Sequence, residues 1–99
     1  MRIISKTALV QFWTAHPQAE SRLQAWYAAL SKCQASDFNE LKQTFSTADY
    51  VPKKYTVFDV GGNAYRVIAV IHYNTQMAYI RAVLTHAEYD KWTKDNRGK

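Results

Sequence analysis

The sequence predicts an α+β domain in which a small, mostly antiparallel sheet carries N-terminal helices on one face and ends in a short C-terminal helix. In the first half of the chain, apolar residues recur at helical spacing. In the second half, three runs rich in Val, Ile and Tyr are separated by short turns. The 99 residues fit one domain, predicted to span residues 1–99. Fourteen aromatic residues (three Trp, seven Tyr, four Phe) favour a packed core over disorder.

The first half is predicted to be helical after one short strand at residues 1–5. A helix is expected at residues 6–16, with apolar side chains at positions 9, 12 and 13 on one side. Pro17 suits the first position of a second helix, in which positions 23, 26, 27 and 30 form an apolar stripe. Asp37 and Glu40 match the D-x-x-E start of a third helical turn, and residues 47–54, with Pro52, are expected to form a loop.

The second half is predicted to form three strands and one helix. The strands are residues 55–60, 64–73 and 77–84, and the short connections at residues 61–63 and 74–76 make neighbouring strands antiparallel. Thr85 and Glu88 form a capping box, so a last helix is expected to start there and to run to about Lys94.

Strand alternation divides residues 64–73 between two faces. The row from Tyr65 to Tyr73 is the more apolar and is expected to meet the helices, so Arg66 is placed on the face left open. Arg81 shares that face, opposite Ile68, if the second turn has two residues, and lies on the other face if it has three. We favour the shared face because burying an arginine against the helices is costly.

Charge points towards a polyanionic partner. The net charge is +5, and residues 50–99 contribute eight Lys/Arg against four Asp/Glu, whereas residues 1–49 contribute five against four. A basic region concentrates nucleic acid around itself, although a charge of this size also serves solubility alone. No stretch approaches the roughly 20 apolar residues of a membrane span. The single cysteine, Cys33, excludes an internal disulfide framework and fits a reducing cytoplasm.

Two motifs carry a family resemblance. One is GGN-x-x-R, within the segment VFDVGGNAYRV at residues 57–67, and the other is THAEYD at residues 85–90, with YIR at residues 79–81 between them. Together they resemble the HigB-type toxins of the RelE/ParE toxin–antitoxin superfamily, over nearly the whole chain. The resemblance implies a RelE-like fold and a ribosome-dependent mRNA endonuclease that inhibits translation and uses neither metal nor cofactor. It also implies a HigA-type helix-turn-helix antitoxin, through which alone the toxin would meet DNA.

The residue types suit that chemistry. RNA supplies its own nucleophile, the 2′-hydroxyl, so the protein needs proton-exchanging groups and a cation for the phosphate. Arg66 is the expected phosphate ligand, His86 a proton-exchanging group, and Tyr89 a residue that orients the phosphate, stacks on a base or assists proton transfer. Further cations are expected to bind the RNA backbone; they are Lys53, Lys54, Arg81, Lys91 and Lys94.

Structural alternatives exist for each of these residues. Tyr89 and Leu84 occupy the positions of a hydrophobic staple around the capping box, and His86 fits an exposed helix start. Arg81 could pair with Asp59 or Asp90. Two rival functions also remain at this point: a ParE-like gyrase poison, which shares the fold, and a basic RNA-binding module without catalysis. The sequence lacks the paired cysteines or H-E-x-x-H of a zinc site, so no metal site is predicted.

Overall fold

One mixed sheet and four helices organise the protein. The computed structural model describes residues 1–52 and 54–96. Its elements, in chain order, are β1 (Arg2–Ile4), α1 (Lys6–Ala15), a 3₁₀ turn (Pro17–Ala19), α2 (Glu20–Lys32), α3 (Phe38–Thr44), β2 (Asp49–Val51), β3 (Tyr55–Val60), β4 (Tyr65–His72), β5 (Met77–Thr85) and α4 (His86–Asn96). Pro17 therefore opens the 3₁₀ turn that leads into α2, and α2 itself begins at Glu20.

The sheet has five strands in the order β1-β5-β4-β3-β2. Strand β1 lies parallel to β5, and every other pair is antiparallel. The α+β prediction is confirmed, as are the three consecutive strands of the second half and the strand at the N-terminus. The parallel contact of β1 with β5 is possible because the helical segments between them return the chain to the same edge.

The N-terminal helices cover one face of the sheet. Leu9, Leu23 and Leu30 are fully buried there and belong to the same core cluster as Phe58 and Val67. Each buried side chain of this size contributes about 1.5–3 kcal/mol by leaving water. The prediction that the row from Tyr65 to Tyr73 meets the helices is confirmed, since its members belong to or pack against this cluster.

A short strand replaces part of the predicted loop at residues 47–54. Strand β2 pairs with β3 through Val51 and Tyr55, and Val51 is buried on the face opposite the N-terminal helices. Three residues are too few to show a period-2 pattern in sequence. Pro52 follows the strand at the sheet edge, where a missing backbone N–H is tolerated.

Both predicted helix starts are capped by side chains. The Asp37 carboxylate accepts from the Glu40 amide at 2.9 Å, while Glu40 Oε1 accepts from Ser36 N at 2.6 Å, one residue earlier than a standard capping box. The bond from the Ser36 amide lowers the pKa of the Glu40 carboxyl. At α4 the box is complete: Thr85 N donates to Glu88 Oε1 at 2.8 Å and Glu88 N donates to Thr85 Oγ1 at 3.3 Å.

Helix α4 covers part of the second face of the sheet, which is the face that carries Arg66 and Ile68. Tyr89 and Trp92 pack against a buried cluster that contains Ile68. The expectation that Arg66 stands on an open face was therefore wrong. Tyr89 and Trp92 are three residues apart, so they form one apolar side of α4, and that side packs on the sheet with both residues partly buried. The helix continues past Lys94 to Asn96.

Candidate functional site

Arg66 lies under α4 in an ion pair that crosses two strands. It pairs in register with Asp59 of β3, and its Nε is 3.0 Å from Asp59 Oδ1. The residue is 7% exposed, because β3, β5 and α4 surround it. A charge in such a position requires a partner, and Asp59 supplies it.

Two further oxygens hold the guanidinium of Arg66. One terminal N–H donates to the backbone carbonyl of Tyr65 at 3.1 Å, and the other terminal nitrogen lies 3.5 Å from the side-chain oxygen of Asn63. With the Asp59 bond, three of the five N–H groups of a guanidinium have protein acceptors. The other two N–H groups have no acceptor among the described residues, and the long Asn63 contact is the weakest of the three bonds.

Tyr89 connects α4 to Arg66. The guanidinium carbon of Arg66 lies 5.2 Å from the centroid of the Tyr89 ring, within the range of a cation–π contact. The Tyr89 ring also stacks on Trp92, with centroids 5.9 Å apart. Leu84 and Tyr89 pack against the same cluster, as a hydrophobic staple requires. Tyr89 thus packs structurally and contacts the candidate phosphate ligand at the same time.

His86 is the first residue of α4 and lies at the surface. Its side chain is 56% exposed, and Nε2 lies 3.8 Å from Asp90 Oδ2, one turn along the helix. Its backbone N–H donates to the carbonyl of Ala64 at 3.1 Å, so the start of α4 is fixed to the end of the β3–β4 turn. The same turn carries Asn63. The structure therefore places Arg66 and Tyr89 in contact, whereas the His86 imidazole lies in solvent beside Asp90 and the His86 backbone joins the turn.

Arg81 occupies a β-bulge. The pairing of His72 with Met77 matches the two-residue turn considered from sequence, but Ile68 pairs with Ala82 rather than with Arg81. Arg81 is the extra residue, exposed, and its guanidinium carbon lies 5.7 Å from the ring centroid of Tyr79. Tyr79 pairs with Val70 on the second face, so Arg81 shares that face with Arg66 without adjoining it. The two carboxylates considered as its partners pair elsewhere, with Arg66 and with His86.

The predicted RNA-binding lysines differ in setting. Lys54, Lys91 and Lys94 are exposed, and the Lys54 ammonium lies 5.4 Å from the centroid of the Tyr55 ring. Lys53 lies outside the residues that the structure describes. Their exposure leaves Lys54, Lys91 and Lys94 accessible to a phosphate backbone.

Asp59 and Asn63 were not predicted as partners of Arg66. The hairpin register contains the signal: Val60 pairs with Tyr65 across the Gly61–Gly62 turn, so the next pair outward is Asp59 with Arg66. Gly61 and Gly62 take φ values of 66° and 68°, a region that favours glycine, and this sets the turn geometry. Counting outward from the predicted connection at residues 61–63 would have placed Asp59 opposite Tyr65; the observed connection has one residue more, and this brings Asp59 opposite Arg66.

The described residues contain neither a cluster of metal ligands nor a helix that could span a membrane. Across residues 1–52 and 54–96, no three His, Cys, Asp or Glu side chains are grouped so that they could hold a metal ion. In the same part of the chain, no helix has the length and apolar character needed to cross a membrane.

Comparisons with known proteins agree with one another. The model of the HigB_toxin family, described as the RelE-like toxic component of a toxin–antitoxin system, matches residues 19–92. The mRNA interferase toxin HigB of Escherichia coli strain K12 is 37% identical over 102 residues, which cover 100% of this chain and 97% of that protein. The mRNA interferase HigB of Shigella flexneri gives the same identity and coverage. The mRNA interferase HigB of Escherichia coli O6:H1 is 32% identical over 96 residues, covering 95% of this chain and 93% of that protein.

Proposed function

The chain belongs to the HigB toxin family, the RelE-like toxic components of toxin–antitoxin systems, and from this premise we propose that it inhibits translation by cutting mRNA on the ribosome, without a metal ion, through Arg66, His86 and Tyr89. The relatives are named mRNA interferases, which supports mRNA as the substrate. The observation that carries the assignment of residues is the contact of Arg66 with Tyr89, beside the turn to which His86 is bonded.

The reaction uses the nucleophile that RNA contains. The 2′-oxygen attacks the neighbouring phosphorus, a new O2′–P bond forms, and the P–O5′ bond breaks. The products are a 2′,3′-cyclic phosphate and a free 5′-hydroxyl. One protein group takes the proton from the 2′-hydroxyl and another gives a proton to the departing 5′-oxygen.

Arg66 is proposed to bind the phosphate at the reacting centre. Two of its N–H groups have no acceptor in residues 1–52 and 54–96, and the 3.5 Å contact with Asn63 is readily exchanged for a phosphate oxygen. Because Asp59 and the Tyr65 carbonyl already fix the guanidinium, little ordering accompanies binding of the pentavalent phosphorus. Developing negative charge on the phosphoryl oxygens then meets a positive group in a partly dry setting.

His86 and Tyr89 are proposed to act at the outer side of this phosphate. His86 is exposed and can exchange protons with substrate or water. Tyr89 presents a hydroxyl from a ring held against Arg66 and Trp92. The proposed partners are the ribosome and a HigA-type helix-turn-helix antitoxin, which would account for any contact with DNA, and the proposed location is the cytoplasm.

Primer extension on a translated mRNA tests this function directly. Purified wild-type protein is expected to give discrete cuts with ribosomes and few without them, and Arg66→Ala is expected to give none. Lys42→Ala removes one exposed charge on α3, far along the chain from the site, and is expected to cut like wild type. Absence of cuts from folded wild-type protein would reject the nuclease. If mRNA stayed intact while the protein blocked DNA supercoiling by gyrase, the gyrase-poison function would be favoured over the nuclease.

A further inference from the structure

Part of the second face extends beyond α4. On β4, Val70 is half-buried and His72 is exposed, whereas Ile68 is fully covered. On the neighbouring strand, Tyr79 is half-buried and Arg81 is exposed. The packing of α4 ends at Tyr55, whose ring meets Trp92 edge-on with centroids 5.4 Å apart. A strip of sheet therefore remains accessible beside the candidate site.

One row of this strip crosses all five strands. In order, paired residue by residue, it contains Val51, Tyr55, Val70, Tyr79 and Ile4. Tyr55 and Tyr79 are two strands apart, or about 10 Å, with the small Val70 between them. The two tyrosine rings thus flank the smaller Val70 side chain on the surface of the sheet.

A cationic side chain lies over each of the two tyrosine rings, Tyr55 and Tyr79. The Lys54 ammonium lies 5.4 Å from the Tyr55 ring centroid, and the Arg81 guanidinium carbon lies 5.7 Å from that of Tyr79. His72 meets Tyr79 edge-on at 5.3 Å between ring centroids. Arg81 has this position because the bulge inserts it as an extra residue on β5. Bulges often redirect a side chain beside a functional site.

The charge of the strip is uniformly positive or neutral. The row from Tyr55 to Ile4 contains no acidic residue, and neither does the next row, in which His72 pairs with Met77 and Met77 with Arg2. Among the described carboxylates of this face, Asp59 lies at the other end, where Arg66 neutralises it, and Asp49 lies on the edge strand β2, in the row of Val57 next to the row of Tyr55. An anionic partner is therefore favoured here over a cationic one.

We propose that Tyr55, Val70, His72, Tyr79 and Arg81, with Lys54, form an aromatic platform on which unpaired bases of the mRNA stack next to the cut. Aromatic rings bind bases of any sequence by their faces, and neighbouring cations bind the phosphates between them. The platform takes single-stranded RNA, because the bases of a duplex are stacked on one another and unavailable. The inference rests on the proposed function, since it adds a binding surface to the same RNA site.

The position of the platform fits a strand that also reaches Arg66. Val70 follows Arg66 by four residues on β4, which corresponds to about 13 Å along the sheet. A single strand of RNA spans that distance in a few nucleotides. Bases held by Tyr79 and Tyr55 would thereby set which phosphodiester reaches Arg66, and the platform would contribute to the position of the cut.

Binding of an RNA that cannot be cut tests the platform. The probe is a fluorescein-labelled single-stranded oligonucleotide carrying 2′-O-methyl groups throughout, which lacks the nucleophile. Fluorescence anisotropy with the full chain is expected to show Tyr79→Ala and Tyr79→Leu weakening binding by about 5- to 150-fold, the range for loss of one stacking ring. Tyr79→Phe keeps the ring and is expected to bind within about twofold of wild type. The Leu variant retains apolar bulk, so it reports on stacking even if the Ala variant folds poorly.

Tyr50→Ala is the matched control. Tyr50 is 44% exposed and sits beside Phe38, on the face of the N-terminal helices, so its loss is expected to leave binding unchanged. The platform is rejected if the Tyr79→Leu variant binds like wild type, or if a duplex of the same sequence binds as tightly as the single strand. If either result is obtained and the wild-type protein still cuts mRNA, the platform is rejected and the proposed nuclease function stands. Tyr79-dependent binding in a protein that never cuts mRNA rejects the nuclease and keeps the platform.

Discussion

Asp59 Oδ1 lies 3.0 Å from Nε of Arg66, and the two residues form a cross-strand pair covered by the ring of Tyr89. This arrangement gives Arg66 two roles. As half of an ion pair that is largely buried, it holds β3, β4 and α4 together. As a fixed guanidinium with two N–H groups that have no acceptor among the described residues, it is the proposed ligand of the phosphate. Experiments on Arg66 must therefore separate stability from catalysis, and the pair itself offers a way.

Removing Asp59 alone is expected to destabilise the protein. Asp59→Ala leaves a charge unpaired at a position that is 7% exposed. Breaking a fully buried pair costs about 3–5 kcal/mol. Because the Asp59 side chain is 27% exposed, we expect a smaller loss of about 2 kcal/mol in the free energy of unfolding. Urea unfolding measures it.

The double variant Arg66→Met/Asp59→Leu is the accompanying control. Replacing both charges by apolar side chains is expected to restore the unfolding free energy to within about 1 kcal/mol of wild type. It is also expected to abolish mRNA cleavage, which stability alone could not explain. A stable double variant with normal cleavage would remove Arg66 from the reaction.

The sequence predicted the local elements around the candidate site better than the packing of those elements on one another. The glycine turn and the capping box are local signals, and both elements formed as predicted because each depends on a few neighbouring residues. The burial of Arg66 was missed because it depends on where α4 returns to the sheet. That return follows from the packing of Tyr89 and Trp92 on Ile68, a contact between distant segments that no single window of sequence reveals.

The bulge at Arg81 was missed for a related reason. The alternation of side chains assigns faces only while paired strands advance by equal numbers of residues. One extra residue on β5 shifts every later pair. The sequence carries no glycine at this position to mark it. Strand β2 was missed since three residues at an edge depend almost entirely on pairing with β3.

The Ser36–Glu40 bond makes a small part of the stability dependent on pH. The Ser36 amide lowers the pKa of the Glu40 carboxyl below its ordinary value of 4.5. The folded state therefore gains stability that is fully present above pH 4.5 and is lost as the pH falls through the lower folded-state pKa. Glu40→Gln is expected to be less stable than wild type at neutral pH and equally stable in strong acid. Urea midpoints across this range test it, with Glu20→Gln as control; an unchanged difference in acid would contradict the linkage.

Tyr89→Phe is expected to separate packing from chemistry at α4. The ring that contacts Arg66 and Trp92 remains, so the variant is expected to fold and to keep the packing of α4 on the sheet. Loss of a hydroxyl bonded to a charged phosphate should slow single-turnover cleavage by about 10- to 100-fold. Tyr27→Phe, on the opposite side of the sheet, is the matched control and should cut normally. Full activity in Tyr89→Phe would reduce Tyr89 to a packing residue.

Cleavage is expected to depend on the substrate's 2′-hydroxyl and not on a metal ion. A 2′-deoxy substitution at the nucleotide before the cut should abolish cleavage, since it removes the nucleophile. Ribosomes themselves need magnesium, so the metal test uses ribosome-free RNA at high protein concentration. Cutting under these conditions should continue in excess EDTA. Loss of cutting on chelation, restored by a divalent metal, would indicate a different mechanism.

His86→Asn is expected to lose cleavage while keeping the fold. The His86 side chain is 56% exposed and its contact with Asp90 is a long surface pair, so the unfolding free energy should change by less than about 0.5 kcal/mol. Loss of a proton-transferring group typically slows a reaction by about 10²- to 10⁴-fold. The single-turnover rate should also depend less on pH, because a proton-transferring group has been removed. The control is His16→Asn, which removes the histidine whose ring stacks on Phe12 and should preserve both rate and pH profile. If His86→Asn slowed cleavage but kept the wild-type pH profile, His86 would bind RNA rather than transfer a proton.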